Sequence, residues 1–219
     1  MKNIRIDDSL KECCAEATLA TLQCEVLVEE SGAALLELLN LEIEKRAEIE
    51  LSQANKREKI QSTRKAYKAL GKDPNRYRCS AEAMCRRISK ERGLYYINNV
   101  VDINNYLSIK TGYSIGTYDI DQVKGDIVWA RAAEGTTYQG IGKEALNIEW
   151  LPVLFDEAGA FGNPTSDGTR TMITKDTKEI ILVFYAFDGE NGLIEVLDEA
   201  EILLKKFANG VEFQKKILA

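Results

Sequence analysis

The first thirty residues carry two short extended patterns around one short helical one. The apolar–polar–apolar segment Ile4–Ile6 predicts an edge strand. Asp8 is a suitable capping residue for a short helix that runs through Cys14. Apolar and polar residues then alternate in the second half of segment 17–28, which predicts a second strand.

The spacing becomes helical from Ser31 onward. Ser31 is a candidate N-cap for a first helix, and a second helix over 56–70 is expected to end at Gly71, with Pro74 just beyond. We therefore expect an antiparallel helical pair over 31–71. The apolar positions of the first helix recur at i, i+3, i+4 and i+8, at Leu35, Leu38, Leu39 and Ile43.

Helices and strands are interspersed along the rest of the chain. This order predicts a single domain over 1–219, of the α/β class and of α+β type. Its central sheet is expected to be mixed or antiparallel, flanked by helices and preceded by the helical pair. Helices are predicted at 81–90, 99–110 and 192–207, and strands at 126–130, 153–156, 171–173, 180–186 and 211–218.

Composition indicates a soluble protein. The chain has 219 residues and is 45% hydrophobic, which is enough for one substantial core. It contains no run of 18 apolar residues, and its N-terminus lacks the apolar region of a secretory signal, so we expect a cytoplasmic protein with no membrane partner. Five cysteines without a repeated CxxC spacing are expected to be reduced thiols rather than a disulfide framework.

The chain contains no histidine. This excludes Ser-His-Asp and Cys-His nucleophilic catalysis, because neither would have a ring base to accept the proton. It also removes the commonest ligand of zinc and iron, so neither a metal nor a cofactor is expected. Chemistry in this chain has to use carboxylates, hydroxyls, amides, Lys, Arg and the backbone.

Charge is distributed unevenly. The net charge is −6, yet the stretch 56–92 holds thirteen Lys and Arg against four Asp and Glu, a local +9. The remainder then carries sixteen basic against thirty-one acidic residues, or −15. Such asymmetry is typical of a nucleic-acid-binding face on an acidic protein, and it also fits a pair of helices with solvated, charged outer faces.

Three polar and glycine-containing blocks follow one another between residues 97 and 135. They are Val101-Asp102-Ile103-Asn104-Asn105-Tyr106, Ser114-Ile115-Gly116-Thr117-Tyr118-Asp119, and Gly125-Asp126-Ile127-Val128 continuing to Arg131-Ala132-Ala133-Glu134-Gly135. Their order and spacing resemble the B3/B4 domain, the tRNA-editing module of the phenylalanyl-tRNA synthetase β subunit. That module carries Val-Asp-x-Thr-Asn-Tyr, Pro-x-His-Ala-Phe-Asp and Gly-x-Ile-x-Val-Arg-x-Ala-x-x-Gly-Glu segments. The resemblance covers about 76–187.

A fourth block, Gly159 to Ser166, looks like the Gly-x-x-Gly-Gly-x-x-Ser loop that lines the pocket in that family. The resemblance places the family's pocket amide on Asn105 and the preceding hydroxyl residue on Asn104. An exposed position on the helix is the alternative for both. The substrate-binding residues that the resemblance implies are Asn104, Asn105, Gly116, Tyr118, Asn163 and Thr165.

This chain departs from the family pattern at two pocket positions. The family's histidine falls on Gly116, and its acid falls near Pro164 or Thr165. The resemblance therefore implies slow hydrolysis, with catalytic residues unknown, and suggests that Gly116→His would raise it. Asp167, just after the loop, is the best substitute acid, with an exposed turn as the alternative. Two further acids are expected to act as structural caps or turn acceptors, Asp102 and Asp119.

Arginines alternate with tyrosines in the second half of the basic stretch. Cations interleaved with aromatic rings suit a single-stranded RNA end, where phosphates pair and bases stack. Arg86 and Arg87 also match an Arg-Arg pair of the synthetase module and are the predicted RNA contacts. The other members of this set are Arg76, Arg78, Lys90, Arg92, Tyr77, Tyr95 and Tyr96.

Three functions compete at this point. The first is a free-standing domain that binds tRNA or aminoacyl-tRNA and slowly hydrolyses mischarged aminoacyl-tRNA in trans. The second is a non-catalytic module of the same fold that holds an amino acid, a small ligand or RNA in its cleft. The third is an interaction protein that forms a homodimer through the helices of 31–70. Ligase activity is not expected, because no ATP-binding motif is visible.

Overall fold

The computed structural model describes residues 2–142 and 145–219. No helix of this described part is long and apolar enough to cross a membrane. The helices are α1 Asp8–Lys11, α2 Ala33–Ala47, α3 Glu58–Ala69, α4 Ser80–Ile88, α5 Asn99–Thr111 and α6 Leu193–Ala208. The strands are β1 Ile4–Ile6, β2 Thr18–Glu25, β3 Ser114–Asp119, β4 Ile127–Arg131, β5 Thr137–Gln139, β6 Ala145–Asn147, β7 Pro152–Asp156, β8 Gly159–Gly162, β9 Glu179–Ala186 and β10 Val211–Leu218.

Two four-stranded sheets form the centre of the molecule. The first has the order β10-β2-β9-β3 and is antiparallel throughout. The second has the order β1-β4-β7-β8, with β1 and β4 parallel and the other pairs antiparallel. A separate hairpin joins β5 to β6. The predicted α+β class is confirmed, with its strands divided between an antiparallel and a mixed sheet.

The first sheet is buried on both faces, and β9 shows why. Its side chains alternate, so Ile180, Leu182 and Phe184 pack among the helices, whereas Ile181 and Val183 pack toward the second sheet. The first core is completed by buried residues of α2, α5 and α6, and the second by residues such as Trp129 and Phe161. The helices thus pack on one face of the first sheet and the second sheet packs on its other face, which gives three layers.

The predicted pairing of α2 with α3 is wrong. Leu35 and Leu39 of α2 belong to the helical core beside α5, whereas Ile60 and Tyr67 of α3 belong to a third cluster beside α4 and the second sheet. Apolar periodicity identifies the buried face of a helix but not the element that covers it. Since α5 covers the apolar face of α2, the basis for predicting a dimer surface there is removed.

The predicted strand at 171–173 is also wrong. Residues Thr169–Thr171 form a 3₁₀ turn instead. β-branched threonines favoured a strand locally, but the turn is fixed by tertiary contacts. Arg170 makes a bidentate ion pair with the buried Asp156, at 2.7 and 2.9 Å, and donates to the Gln122 carbonyl at 2.8 Å.

Candidate functional site

An apolar pocket of about 370 Å³ opens between α5, β3 and the loop that follows β8. Its wall includes two polar groups of neighbouring elements, Asn104 and Thr117, which are joined because the Thr117 hydroxyl donates to Asn104 Oδ1 at 3.0 Å. The remaining polar residue of the described lining is Asp167. The full lining is Ile97, Val101, Asn104, Thr117, Ile141, Asp167, Met172 and Ile173.

Two tyrosines hold the carboxyl group of Asp167, Tyr118 directly and Tyr185 through Tyr118. Tyr118 donates its hydroxyl hydrogen to Asp167 Oδ1 at 2.6 Å, and the hydroxyls of Tyr118 and Tyr185 lie 2.6 Å apart. Burial raises the pKa of the Asp167 carboxyl to about 7, an effect that the hydrogen bonds from Tyr118 and from the Asn163 backbone only partly offset. Burial also raises the pKa of both tyrosines well above the usual value, so they remain protonated donors.

Tyr118 is a buried support of the pocket and not part of its lining. Its ring lies against two glycines of different sheets, Gly116 and Gly162. A Cβ atom built on Gly116 would lie 2.5 Å from Tyr118 Cζ, and one on Gly162 would lie 2.6 Å from Cε1. The space beside Gly116, where the family resemblance puts an imidazole, is therefore filled by Tyr118. The expectation that Gly116→His would raise activity is inconsistent with this packing.

Asn104 and Asn105 take different positions although they are neighbours on α5. Asn104 lines the apolar pocket, and the described lining does not include Asn105. Asn105 is half-buried, and its Oδ1 lies 3.5 Å from Asn104 Nδ2. The geometry favours Asn104 as the pocket amide, one position before the residue that the motif alignment implied.

Two buried polar residues of α5 hold neighbouring segments in place. Asp102 accepts hydrogen bonds from the Ser31 hydroxyl at 2.6 Å and from the Ile97 N–H at 3.1 Å, so it holds Ile97 at the mouth. The side chain of Asn99 bridges three segments, donating to the carbonyls of Leu27 and Phe207 at 2.9 Å. Asp102 thus serves as a turn acceptor, as the sequence predicts.

Asp119 is likewise a structural acceptor. Its Oδ1 accepts from the Asp121 N–H at 3.0 Å, and its Oδ2 accepts from the Thr177 hydroxyl at 2.7 Å. Both oxygens therefore serve the turn after β3.

A basic groove of about 420 Å³ lies along α4. Arg87 is ordered within it, since Nε donates to the Gly93 carbonyl at 2.8 Å and the guanidinium lies 4.5 Å from the centre of the Tyr95 ring. Arg86 is half-buried and lies 4.0 Å from the buried carboxylate of Glu82. The lining is Arg76, Arg78, Ala83, Arg86, Arg87, Lys90, Arg92 and Thr165.

The loop 163–168 lies between the basic groove and the apolar pocket. Asn163 organises it by accepting from the N–H groups of Thr165 at 2.7 Å and Ser166 at 3.2 Å, and it donates to the Tyr138 hydroxyl at 2.7 Å. Tyr138 in turn donates to the Ser166 carbonyl. Thr165 lies in the groove and Asp167 lies in the pocket. Asn163 therefore fixes the loop that separates the two.

Thr165 and Asn163 also line a third, neighbouring cavity of about 380 Å³, together with Arg76. The Thr165 hydroxyl lies 2.8 Å from the Tyr67 hydroxyl, which anchors this side of the loop to α3. The groove and this cavity share Arg76 and Thr165, so they are adjacent.

Several pocket residues carried no recognisable sequence signal. Ile141, Met172 and Ile173 are isolated apolar residues in loops, and only the fold brings them to α5. In the structure, the rim of the pocket is marked by an exposed apolar residue, because Ile97 is 60% exposed. Among the described residues, no group of three or more Cys, Asp or Glu side chains is arranged to hold a metal ion.

The family model and the relatives that match this chain agree with each other. The family model of the B3/4 domain matches residues 62–194. The phenylalanine–tRNA ligase β subunit of Protochlamydia amoebophila is 28% identical over 155 residues, which are 56% of this chain and 19% of that protein. The corresponding subunit of Cutibacterium acnes is 35% identical over 99 residues, 44% of this chain and 12% of that protein. The chain thus matches less than a fifth of the length of these relatives.

One solved structure is similar over nearly the whole chain. It is an N-terminal fragment of the phenylalanyl-tRNA synthetase β subunit from Pyrococcus horikoshii, with a TM-score of 0.48 and 15% identity. The similarity covers 99% of this chain and 50% of that one.

Proposed function

The chain belongs to the B3/4 domain family, and from this premise we propose that it binds the aminoacylated 3′ end of a tRNA and slowly hydrolyses a mischarged ester there. We propose further that it does so as a free-standing module in trans. The partner class comes from the relatives, which are named as subunits of a phenylalanine–tRNA ligase. The amino acid would occupy the apolar pocket, and the RNA backbone would occupy the basic groove.

The observation that carries the proposal is the position of these two cavities on one loop. Thr165 lines the groove and Asp167 lines the pocket, two residues further along the chain. Consecutive Cα atoms are 3.8 Å apart, so these two residues lie within about 7.6 Å of each other. A phosphate in the groove and an aminoacyl group in the pocket can therefore belong to one short single strand.

The groove has the charge that this role requires. Its lining holds five arginines and one lysine, and no acidic residue is among the described lining. Cationic side chains that contact phosphates release condensed counterions, which gives affinity that depends steeply on salt. The charge of the groove supports the proposal, because action in trans requires phosphate contacts from this chain itself.

The segment between the groove and the pocket rim suits an unpaired base. Tyr95 is 70% exposed and lies against Arg87 of the groove. Two residues further on, Ile97 lines the pocket. Stacking on an exposed aromatic ring contributes about 1–3 kcal/mol per base and tolerates any base. The path from groove to pocket therefore offers a stacking surface on the way.

Replacing Arg86 and Arg87 together with alanine is expected to weaken tRNA binding and to flatten its salt dependence. Two lost phosphate contacts should reduce the slope of log affinity against log salt by about 1.5. The measurement is fluorescence anisotropy with labelled tRNA between about 50 and 200 mM salt. Equal slopes for the wild type and this double variant would contradict a role for the groove.

The matched control is Lys65→Ala with Lys68→Ala. These two lysines are exposed on α3, in the same basic stretch but outside the described lining of the groove. The control removes the same charge from the same region. It should therefore leave the slope close to that of the wild type, and a change as large as that of the Arg86 and Arg87 variant would indicate a general charge effect.

Replacing Asn104 with alanine is expected to weaken binding of a non-hydrolysable aminoacyl-adenosine by about 1–3 kcal/mol, because a partly desolvated ligand loses a hydrogen-bonding partner. Asn105→Ala makes the same chemical change one residue along the helix and should cost less, since Asn105 does not belong to the described lining. Isothermal titration calorimetry measures both. A larger loss for Asn105→Ala would return the pocket role to Asn105.

The filled space beside Gly116 favours a second candidate function, binding without hydrolysis. Tyr118 occupies the position of the family imidazole, so this pocket lacks that group. A pocket that binds an aminoacyl end but positions no water would act as a non-catalytic module. Single-turnover deacylation separates the two functions, because tRNA binding would persist while the ester would decay at its spontaneous rate.

A further inference from the structure

Among the described residues that line the apolar pocket, Asp167 is the one with an ionisable side chain. The residue is partly exposed and belongs to the lining of the cavity. A carboxyl group in apolar surroundings loses hydration, which disfavours its charged form. Its neighbours in the lining are mainly aliphatic, with Asn104 and Thr117 as the other polar members.

The orientation of this carboxyl is set by buried groups. Tyr118 Oη holds Oδ1 at 2.6 Å, and Tyr185 Oη lies 2.6 Å from Tyr118 Oη. Both phenols are fully buried, and Gly116 and Gly162 enclose the Tyr118 ring. A side chain that is held this way keeps its direction without a ligand, which is the condition for an effective catalytic group.

We propose that Asp167 is the general base for hydrolysis of an aminoacyl ester bound in the apolar pocket, with Tyr118 and Tyr185 as positioning residues. This inference rests on the proposed function. It gives a carboxylate the role of proton acceptor in a chain that has no histidine.

The step balances with water as the only co-reactant. The Asp167 carboxylate accepts a proton from a water molecule while the water oxygen bonds to the ester carbonyl carbon. The bond between that carbon and the ribose oxygen then breaks, and the proton passes from Asp167 to the ribose oxygen. The products are the free amino acid and a tRNA with both terminal hydroxyl groups. Tyr118 keeps its proton throughout, so it acts only by hydrogen bonding.

The titration of Asp167 suits this role near neutral pH. Burial raises its pKa to about 7, and a general base is most effective when its pKa lies near the working pH. In the described part of the chain, the titratable groups that face it are Tyr118 on β3, Tyr185 on β9 and Tyr138 on β5, and the pKa of each is raised by burial. The rate should therefore rise with pH up to about 7 and level off above it.

The test is single-turnover release of tyrosine from phenylalanine-specific tRNA charged with tyrosine. Asp167→Asn should slow the reaction by about 10²–10³-fold and remove the part of the pH dependence that is due to the carboxyl group, while tRNA affinity is retained. Asn preserves the shape of the side chain and can still accept from Tyr118. Asp126→Asn is the matched control, because Asp126 is exposed and hydrogen-bonds Asn3, and its rate should equal that of the wild type.

Tyr118→Phe distinguishes positioning from a merely structural role. The Tyr118 hydrogen bond lowers the pKa of Asp167, so its removal should move the midpoint of the pH profile upward. A slower rate with an unmoved midpoint would overturn the assignment of Tyr118.

The outcomes separate the inference from the function on which it rests. Wild-type protein that binds the tRNA but leaves the ester at its spontaneous rate would overturn the role of Asp167 and preserve the binding function. Protein that binds no tRNA at low salt would overturn the proposed function itself. A wild-type pH profile without an inflection near 7 would also refute Asp167 as the base, and this measurement needs no variant.

Discussion

Replacing Gly116 with histidine is expected to destabilise the folded protein by more than about 3 kcal/mol. A Cβ at this position would lie 2.5 Å from Tyr118 Cζ and 2.8 Å from Cε2, distances that real Cβ atoms do not adopt. Overpacking a dense core commonly costs about 1–3 kcal/mol through displaced side chains. Histidine adds a ring beyond the Cβ, so the expected cost lies above the range for extra methylenes.

Tyr118 has no simple way to move aside. Gly162 bounds its ring from the second sheet, and its hydroxyl is committed to Asp167 and to Tyr185. Displacing the ring would leave these buried polar groups without partners, at about 1–3 kcal/mol each. Moving the Tyr118 ring would therefore relieve the steric clash only by breaking its buried hydrogen bonds.

Chemical denaturation followed by circular dichroism measures the free energy of unfolding of Gly116→His against Gly32→His. Gly32 precedes α2, has a φ of −68° and has no atom within 4 Å of a built Cβ, so the same substitution should be tolerated there. Equal stability for the two variants would show that Tyr118 can leave its position. It would also reopen the pocket to an imidazole.

The case of Gly116 shows what the sequence could and could not predict of the site. The motif alignment singled out the block that carries Gly116 and Tyr118 but predicted no strand there; in the structure this block is β3, whose period-2 alternation places the two residues on one face. The sequence contains no sign that Gly162 completes the enclosure, because Gly162 comes from another sheet. The filling of the pocket position is thus a consequence of tertiary packing.

The basic groove was predictable in part for the same reason. Arg86 and Arg87 lie on one helix, where sequence spacing determines proximity. Thr165 joins them only because the loop after β8 returns to α4, where the Ser80 N–H donates to the Pro164 carbonyl at 2.7 Å. Local periodicity predicts most helices and strands of this chain, whereas the cavities depend on contacts between segments far apart in sequence.

Replacing Arg64 with methionine is expected to destabilise the protein by about 1.5–3 kcal/mol, the range for a lost hydrogen bond to a charged group, while sparing tRNA binding. Arg64 NH1 lies 2.8 Å from Glu82 Oε2, and the two side chains are 12% and 1% exposed. Removing Arg64 takes from the buried Glu82 its shortest contact and leaves it only the longer ones to Arg78 and Arg86, at 3.8 and 4.0 Å. Arg64 also donates to the Pro74 carbonyl and to Asn75, so the turn before α4 loses its anchor as well.

Arg78→Met is the matched control, because it approaches the same carboxylate from the other side. Its guanidinium lies 3.8 Å from Glu82 Oε1 and its side chain is 42% exposed, so its loss should cost less than about 1 kcal/mol. Arg78 lines the basic groove, whereas Arg64 is not part of that described lining. The Arg78 variant should therefore weaken tRNA binding and flatten its salt dependence, while the Arg64 variant should unfold at lower denaturant and retain the wild-type slope.

Denaturation and salt-dependent anisotropy on these two variants separate the two roles of the basic stretch. The sequence allowed either a nucleic-acid-binding face or charged helices that serve only the fold. In the structure, the largely buried Arg64 and the more exposed Arg78 both contact the carboxylate of Glu82. A loss of stability in the Arg64 variant and a loss of tRNA affinity in the Arg78 variant would assign Arg64 to the fold and Arg78 to tRNA binding. A loss of tRNA affinity in neither variant would mean that the positive charge along α4 serves folding alone, and the groove would then lose its place in the proposed function.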